Sequence, residues 1–471
     1  MAGPAAGSWI AVELNDALLA VADDSGVLHT EPGYAVVGQG DLLFGFDALA
    51  SLRRDAHVAS SRHWRDFGAN PLARPLGEFR TAADLAGAQL RRLLARHGAG
   101  RQGVLYALPP GWTAGQRDEL VALSNALGMR VFALADAAVA ASRHARPGRE
   151  LLNLDAGLHG LALTRIRQSG MAALGDSPGD REIFPTLGIE PLLRLSMETL
   201  ARRFVECSRF DPLHDSATEQ ALFDQLPGWL ARIARDAEVK VELATRSGTF
   251  AAVIPSADFR ARVARACEPL LQKLRARIAE RGSHVLQVHP RLADLPGVLD
   301  ALLRLPDTEV HVLPPGAAAA GLASRAAGRL HGGASPVEIT ELPWDEAPLD
   351  LPAPAAGALA RAESMPTHLL AGHQAHRLGD APFRIGTELQ PGEAGVTLDP
   401  ALRGLSRQHC TLRRENGALF VFDHSRFGTW LNGHRIEGAA LIQPGDVLSL
   451  GSPPVELRLL SEVAAAGDAT G

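Results

Sequence analysis

Apolar residues follow two rhythms along this chain, and the change between them divides it. Through residues 8–330, short β-rich runs alternate with stretches of helical spacing. Residues 10–21 and 28–43 read as short strands with polar turns. Helical spacing over 81–97 and 114–127 flanks a short apolar strand at 103–108. Residues 151–154 and 161–166 read as a hairpin, broken by Asp155-Ala156-Gly157-Leu158-His159-Gly160. Helical segments at 189–207, 218–237 and 256–281 follow, then a strand (285–288), a helix (298–305) and a strand (310–313). Strands interleaved with helices predict an α/β core.

From 331 to 366 the rhythm fails. Pro343, Pro348, Pro352 and Pro354 stand among Ala and acidic residues, a semi-extended linker composition. Residues 367–460 carry no helical period. Short strands between Gly, Pro and Asn turns predict an antiparallel sandwich there, and 461–471 reads as a frayed tail. No repeat of about 20–50 residues is evident.

Composition narrows the function classes. A length of 471 residues fits two or three domains, and 46% apolar content supplies their cores. A formal charge of −6 with no long one-sign block gives no reason to expect nucleic acid or an acidic membrane surface. Lys240 and Lys273 are the only lysines, so any phosphate clamp must use Arg or backbone amides. Cys207, Cys267 and Cys410 are scattered, odd in number and without zinc spacing. With neither a leader pattern nor a long apolar run, we expect a cytoplasmic protein with no membrane span.

Several N-terminal fragments carry a resemblance. They are Leu108-Pro109-Pro110-Gly111-Trp112 running on to Val131, Asp136 with the alanines after it, Ala237 to Leu243, and Leu313-Pro314-Pro315-Gly316. In order and spacing they resemble the nucleotide-binding domain of the seventy-kilodalton heat-shock chaperones, in the actin-like ATPase superfamily. The resemblance covers residues 8–330 and implies a two-lobed α/β fold. Its catalytic loops match poorly. Where the family has Asp-Leu-Gly-Thr-Thr, this chain has Glu13-Leu14-Asn15-Asp16-Ala17, without glycine and with an anion at the phosphate position. The second phosphate loop aligns with Asp155-Ala156-Gly157-Leu158-His159-Gly160, where Leu158 and His159 add bulk to a hairpin that should be bare. The adenosine motif falls on His289-Pro290-Arg291, and Arg62 is nearest to the catalytic Lys, from which it differs in shape and hydration. Phosphoryl transfer rests on positioning and charge, so we expect a pseudo-ATPase. Glu13, Asn15, Asp16, Arg62, Asp136, Asp155, Gly157 and Gly160 would form its degenerate nucleotide site. We expect no cofactor, with weak magnesium-ATP binding left open.

At the other end, Gly404-Leu405-Ser406-Arg407-Gln408-His409-Cys410 and Phe427-Gly428-Thr429-Trp430-Leu431-Asn432-Gly433 resemble a forkhead-associated (FHA) domain, over roughly residues 369–460. That family captures phosphothreonine peptides. The resemblance makes Ser406 the phosphate-binding serine, His409 a loop brace and Asn432 part of a late Asn-Gly turn; Arg407 would add a cation. Two positions depart from the family. Its Gly-Arg becomes Gly386-Thr387, with Arg384 on a different strand position, and its Thr-Asn becomes Arg426-Phe427. Arg426 is the candidate replacement cation.

Other motifs read more plainly. Gly175-Asp176-Ser177-Pro178-Gly179 lacks the helix a nucleophile elbow requires. His368, His373 and His376 read as surface strand residues, and Cys410 as a packed thiol. The reading as a whole is a bacterial adaptor that binds a protein or phosphoprotein partner. A divergent ATP-driven chaperone or actin-like ATPase, and a phosphate-independent structural subunit, are its alternatives.

Overall fold

The computed structural model describes residues 8–345 and 366–460, apart from 39–41, 170–171, 175–179, 247, 331–334, 372–373, 380, 391, 401–402, 416–417, 432–433, 437, 443–445 and 452–454. The 175–179 string, most of the expected linker and the expected tail thus lie outside the described residues. The chain divides into two compact units, residues 1–357 and 358–471.

The N-terminal unit repeats one plan twice. Strands Trp9–Glu13 and Leu19–Asp23 form an antiparallel hairpin, extended by Gly26–Glu31. On its other side, Gly103–Leu108 and then Arg130–Asp136 pair in parallel. The second sheet begins with the Glu150–Ala156/Leu161–Gln168 hairpin, extended by Arg181–Phe184 and Ala172–Leu174. His284–Val288 and Thr308–Val312 then pair in parallel on its other side. In each copy the fourth strand is followed by an alanine-rich helix, Ala137–Ala141 or Ala317–Arg325. The duplication lies in topology and is invisible as a short sequence repeat.

Small residues dictate how the two copies join. Ala11, Ala20 and Ala22 from one sheet, Leu151 and Val285 from the other, and the alanines of both helices share one buried cluster. The helices approach so closely that a Cβ on Gly321 would lie 2.0 Å from the Ala140 carbonyl oxygen. Side chains that short let backbones touch and bury each other's surface at near-crystalline density.

One buried cation secures this junction. Arg325 donates through Nε to the Gly321 carbonyl at 2.9 Å and through Nη1 to Ser142 and Pro343, both at 3.0 Å. Its Nη2 donates to the Ala140 carbonyl. Carbonyls at the end of the 137–141 helix have no intrahelical partner, so these bonds satisfy groups that would otherwise be buried and unpaired. Burial pulls the guanidinium down to about 10, which leaves it charged at neutral pH.

Three sequence expectations need correction. Residues 337–343, placed in the linker, form edge strands. Val337–Ile339 pairs in parallel with Arg130–Asp136, and Glu341–Pro343 pairs with Ala172–Leu174. Their apolar residues Ile339 and Leu342 are buried, which the surrounding prolines obscured. The expected helix over 256–281 is two, Ser256–Ala266 and Glu268–Arg281. Pro269 sits in the first turn of the second, where its missing N–H costs nothing. Finally, Glu238–Thr245 and Gly248–Pro255 make a hairpin that was not anticipated. Val239, Val241 and Leu243 are buried and alternate with exposed Glu238, Lys240 and Glu242, a period of two.

The C-terminal unit is the expected sandwich. One sheet orders strands 374–377, 368–371, 455–460, 447–450, 429–431 and 434–435; the other orders 395–397, 383–386, 410–415, 418–423 and 439–442. Alternate residues from both, including Leu369, Ile385, Leu412, Val421, Leu448 and Leu457, meet in one core. Cys410 is packed within it, and burial pushes its thiol up to about 12.

Replacing Arg325 by Ala should destabilise the N-terminal unit by about 3–5 kcal/mol, the usual cost of removing one partner from a buried charged contact. The urea midpoint followed by tryptophan fluorescence reads this out. An unchanged midpoint would mean that the carbonyls do not depend on the guanidinium.

Candidate functional site

Three loops of the C-terminal unit converge on Ser406. The first leaves strand Phe383–Gly386. A Cβ on Gly386 would stand 2.0 Å from the Arg407 carbonyl oxygen, so only glycine lets the strand pass beneath the Ser406 loop. Just beyond it, the Thr387 and Glu388 amides donate to the Ser406 and Arg407 carbonyls, both at 3.2 Å.

His409 ties the second loop to the third. The ring is fully buried. Its Nδ1 accepts the Ser406 backbone N–H at 3.2 Å, which places the ring proton on Nε2, 3.1 Å from the Gly428 carbonyl. Each ring nitrogen therefore has one complementary partner only while the imidazole is neutral. Burial favours that state and holds the pKa below the ordinary histidine value. The bracing role expected of His409 has this geometry behind it.

The third loop, 424–428, hangs from Asp423. That carboxylate accepts from the Ser425 amide at 2.9 Å, the Thr429 hydroxyl at 2.8 Å and the Thr429 amide at 3.3 Å. Burial works to raise its pKa, but these donors hold it below the usual range. Ser425 Oγ accepts the Gly428 amide at 2.7 Å. The loop then closes on the site, because the Arg426 amide donates to Ser406 Oγ at 3.2 Å. The Ser406 hydroxyl proton is left pointing away from that bond, available to an incoming acceptor.

Charge and apolar surface surround the serine. Arg407 and Arg426 are exposed, and the carboxylate paired with Arg407 is Glu388, 3.9 Å away. Arg384 does not substitute for the family's arginine, because its Nε is held by Glu393 at 3.0 Å. Asn432 lies outside the described residues. Two contributors were missed in the sequence. Asp423 was legible as an Asp-x-Ser turn. Arg435 was not, since only the fold lays its guanidinium over Gly428, where a Cβ would be 2.6 Å from Nε.

The predicted nucleotide-site residues do assemble, but around each other. A cleft of about 180 Å³ is lined by Asn15, Asp16, Arg65, Trp112, Asp155, Gly157, His159 and Gly160, among others. Asn15 Nδ2 donates to Asp155 Oδ1 at 2.7 Å. Asp16 Oδ1 accepts the Leu158 amide at 2.7 Å and lies 2.7 Å from where a Gly157 Cβ would be. Gly157 and Gly160 close the hairpin turn by an amide-to-carbonyl bond of 2.9 Å. Glu13 reaches the other way and accepts the Ala318 and Ala319 amides at 3.0 and 3.1 Å, at the start of the last alanine helix. Asp136 caps the Ala137–Ala141 helix and pairs with Arg181. Beyond Glu13, near His289 and Pro290, the remaining cavity is about 20 Å³, room for one water.

Two expectations about this cleft were wrong in detail. Leu158 adds no bulk to it; the side chain is fully buried in the core beneath. Arg62 is not the cation at the cleft, since it pairs with Asp66 at 2.9 Å on the surface. Arg65 lines the cleft instead and donates to the His159 carbonyl at 2.6 Å.

The cleft is strongly acidic and desolvated. Burial, with the charges of Asp136 and Asp16 adding to it, pushes Asp155 up to about 7. Burial and Asp155 push Glu13 up to about 7, and burial pushes Asp16 up to about 6. Among the described residues no group of three or more side chains is placed to hold a metal ion, and no helix is long and apolar enough to cross a membrane.

The FHA domain family model matches residues 383–451, the span that carries Gly386, Ser406, His409 and Arg426. No curated protein matches the chain. Residues 383–451 are therefore an FHA domain, a module for protein–protein interaction through phosphopeptides.

Two measurements test this geometry. Raised carboxyl pKa values favour the fold below the unfolded values near 4, and that advantage is lost as pH rises toward 7. The variant Asp155→Asn should thus gain stability over the parent between pH 5 and pH 8, by about 1.4 kcal/mol for each pKa unit removed. Parallel urea titrations at the two pH values show it. His409→Ala should cost about 1–3 kcal/mol per stranded backbone group and loosen the Ser406 loop, seen as faster amide exchange at Ser406.

Proposed function

We propose that the chain is an adaptor. Its FHA domain captures a phosphothreonine segment of a partner protein, and its N-terminal unit is a chaperone-like, actin-related scaffold that has lost nucleotide turnover. The observation that carries the first half is the Ser406 hydroxyl, pinned by His409 and the Arg426 amide at a rim bearing Arg407 and Arg426. A phosphate dianion needs convergent donors and at least one guanidinium, and this rim offers both. Arg426 supplies the charge that Thr387 cannot.

The second half draws on the duplicated hairpin-and-parallel-strand plan and on what fills its centre. Asp16 occupies a loop amide and Glu13 occupies a helix N-terminus, the two kinds of group that ordinarily cradle phosphate. A triphosphate would have to displace both carboxylates and enter a cleft already rich in acid. About 180 Å³ is also less than the roughly 300 Å³ at which small-molecule pockets begin.

The test is direct. Phosphothreonine peptides should bind the full-length protein more tightly than their unphosphorylated forms. Arg426→Ala should weaken that binding by about 1.5–3 kcal/mol, because it removes the guanidinium but keeps the amide on Ser406. Calorimetry with magnesium-ATP should show no binding heat at millimolar nucleotide. Micromolar binding with turnover would overturn the scaffold reading, and equal affinity for both peptide forms would overturn the phosphopeptide reading.

A further inference from the structure

Phe427 stands out at the rim of the Ser406 site. It is the only large apolar side chain among the described residues of the C-terminal unit with more than half its surface, 54%, in solvent. Leaving a phenylalanine exposed forgoes about 1.5–3 kcal/mol of burial, and the sandwich core lies within the same small unit. The loop does not present the ring by being loose. Asp423 and Ser425 pin both sides of it, through the Ser425, Gly428 and Thr429 amides. A rigid, exposed aromatic ring beside phosphate donors can gain contact area on binding without a large ordering cost.

Its chemistry limits what it can recognise. A phenyl ring has no hydrogen-bonding group, so this position cannot hold a peptide backbone by polar contact. What it offers is an apolar face. Its neighbour Arg426 donates its amide to Ser406 Oγ, so Phe427 begins about 4 Å further along the loop. Adding the reach of the side chain puts the ring two to three residues of extended peptide from the phosphate, at about 3.3 Å per residue.

We infer that Phe427 is a specificity-determining residue, which selects phosphothreonine peptides carrying a bulky apolar side chain two or three residues from the phosphothreonine. This rests on the phosphopeptide reading above and adds the second feature that the partner must carry.

The experiment uses the full-length protein and fluorescein-labelled phosphothreonine heptapeptides on a glycine–serine background. Leucine is placed in turn at each of the three positions on either side, and binding is read by fluorescence anisotropy. One leucine position, second or third from the phosphothreonine, should tighten binding roughly tenfold over the leucine-free peptide. That preference should vanish in Phe427→Ala and survive in part in Phe427→Leu. A flat response across positions, or a preference kept by Phe427→Ala, overturns this inference while leaving phosphopeptide binding intact. Equal affinity for phosphorylated and unphosphorylated peptides overturns both.

Discussion

A backbone amide in a tight loop must find an acceptor, and in this protein the acceptor's identity decides what each unit can do. In the N-terminal unit the acceptors are carboxylates from within the chain: Asp16 on the Leu158 amide, Glu13 on the Ala318 and Ala319 amides. Each bond joins segments far apart in sequence, so the two copies of the hairpin plan are held through their own anions. The arrangement is costly, because Asp155, Asp16 and Glu13 are crowded together away from water, and it is the reason all three titrate high. In the FHA domain the acceptor of the Ser406 amide is a neutral imidazole. It braces the loop without adding negative charge, so the rim stays receptive to an anion. One unit has answered its own demand for an anion, and the other has left that demand open.

The alanine-rich junction follows the same economy of short reach. Backbones at Gly321 and Ala140 meet directly, and the guanidinium of Arg325 satisfies the carbonyls that the meeting strands. A long side chain here serves packing as much as charge. It also reaches the Pro343 carbonyl, so the last strand of the unit is fastened to its centre.

Much of this was legible in the sequence. The strand at Gly103–Leu108 falls on its expected bounds, and most helices lie within two residues of theirs, because long amphipathic periods and capping residues leave few alternatives. The FHA domain was legible from Ser406, His409 and the Asn-Gly pair at their spacing. What was lost had physical causes. Val337–Ile339 and Glu341–Pro343 are short edge strands amid prolines, and their burial comes from partners far away in the chain. The 238–255 hairpin alternates correctly, yet beside long helices the period of two was passed over. Leu158 was assigned to the cleft because sequence position alone does not say which side of a turn faces inward. Arg65 and Arg62 differ by three residues, and only the fold shows which one turns toward Asp16. Arg435 reaches the phosphate loop across a hairpin, a contact that no linear spacing announces.

The strands at 337–343 carry a practical lesson about dissecting this molecule. Each of them covers the open side of a different sheet, and such uncovered sides invite neighbouring chains to stack on. A fragment cut at residue 330, where composition suggests a boundary, would leave two sticky flanks and an arginine without one of its carbonyl anchors. A fragment that runs through Asp345, which also pairs with Arg143, keeps both flanks sealed.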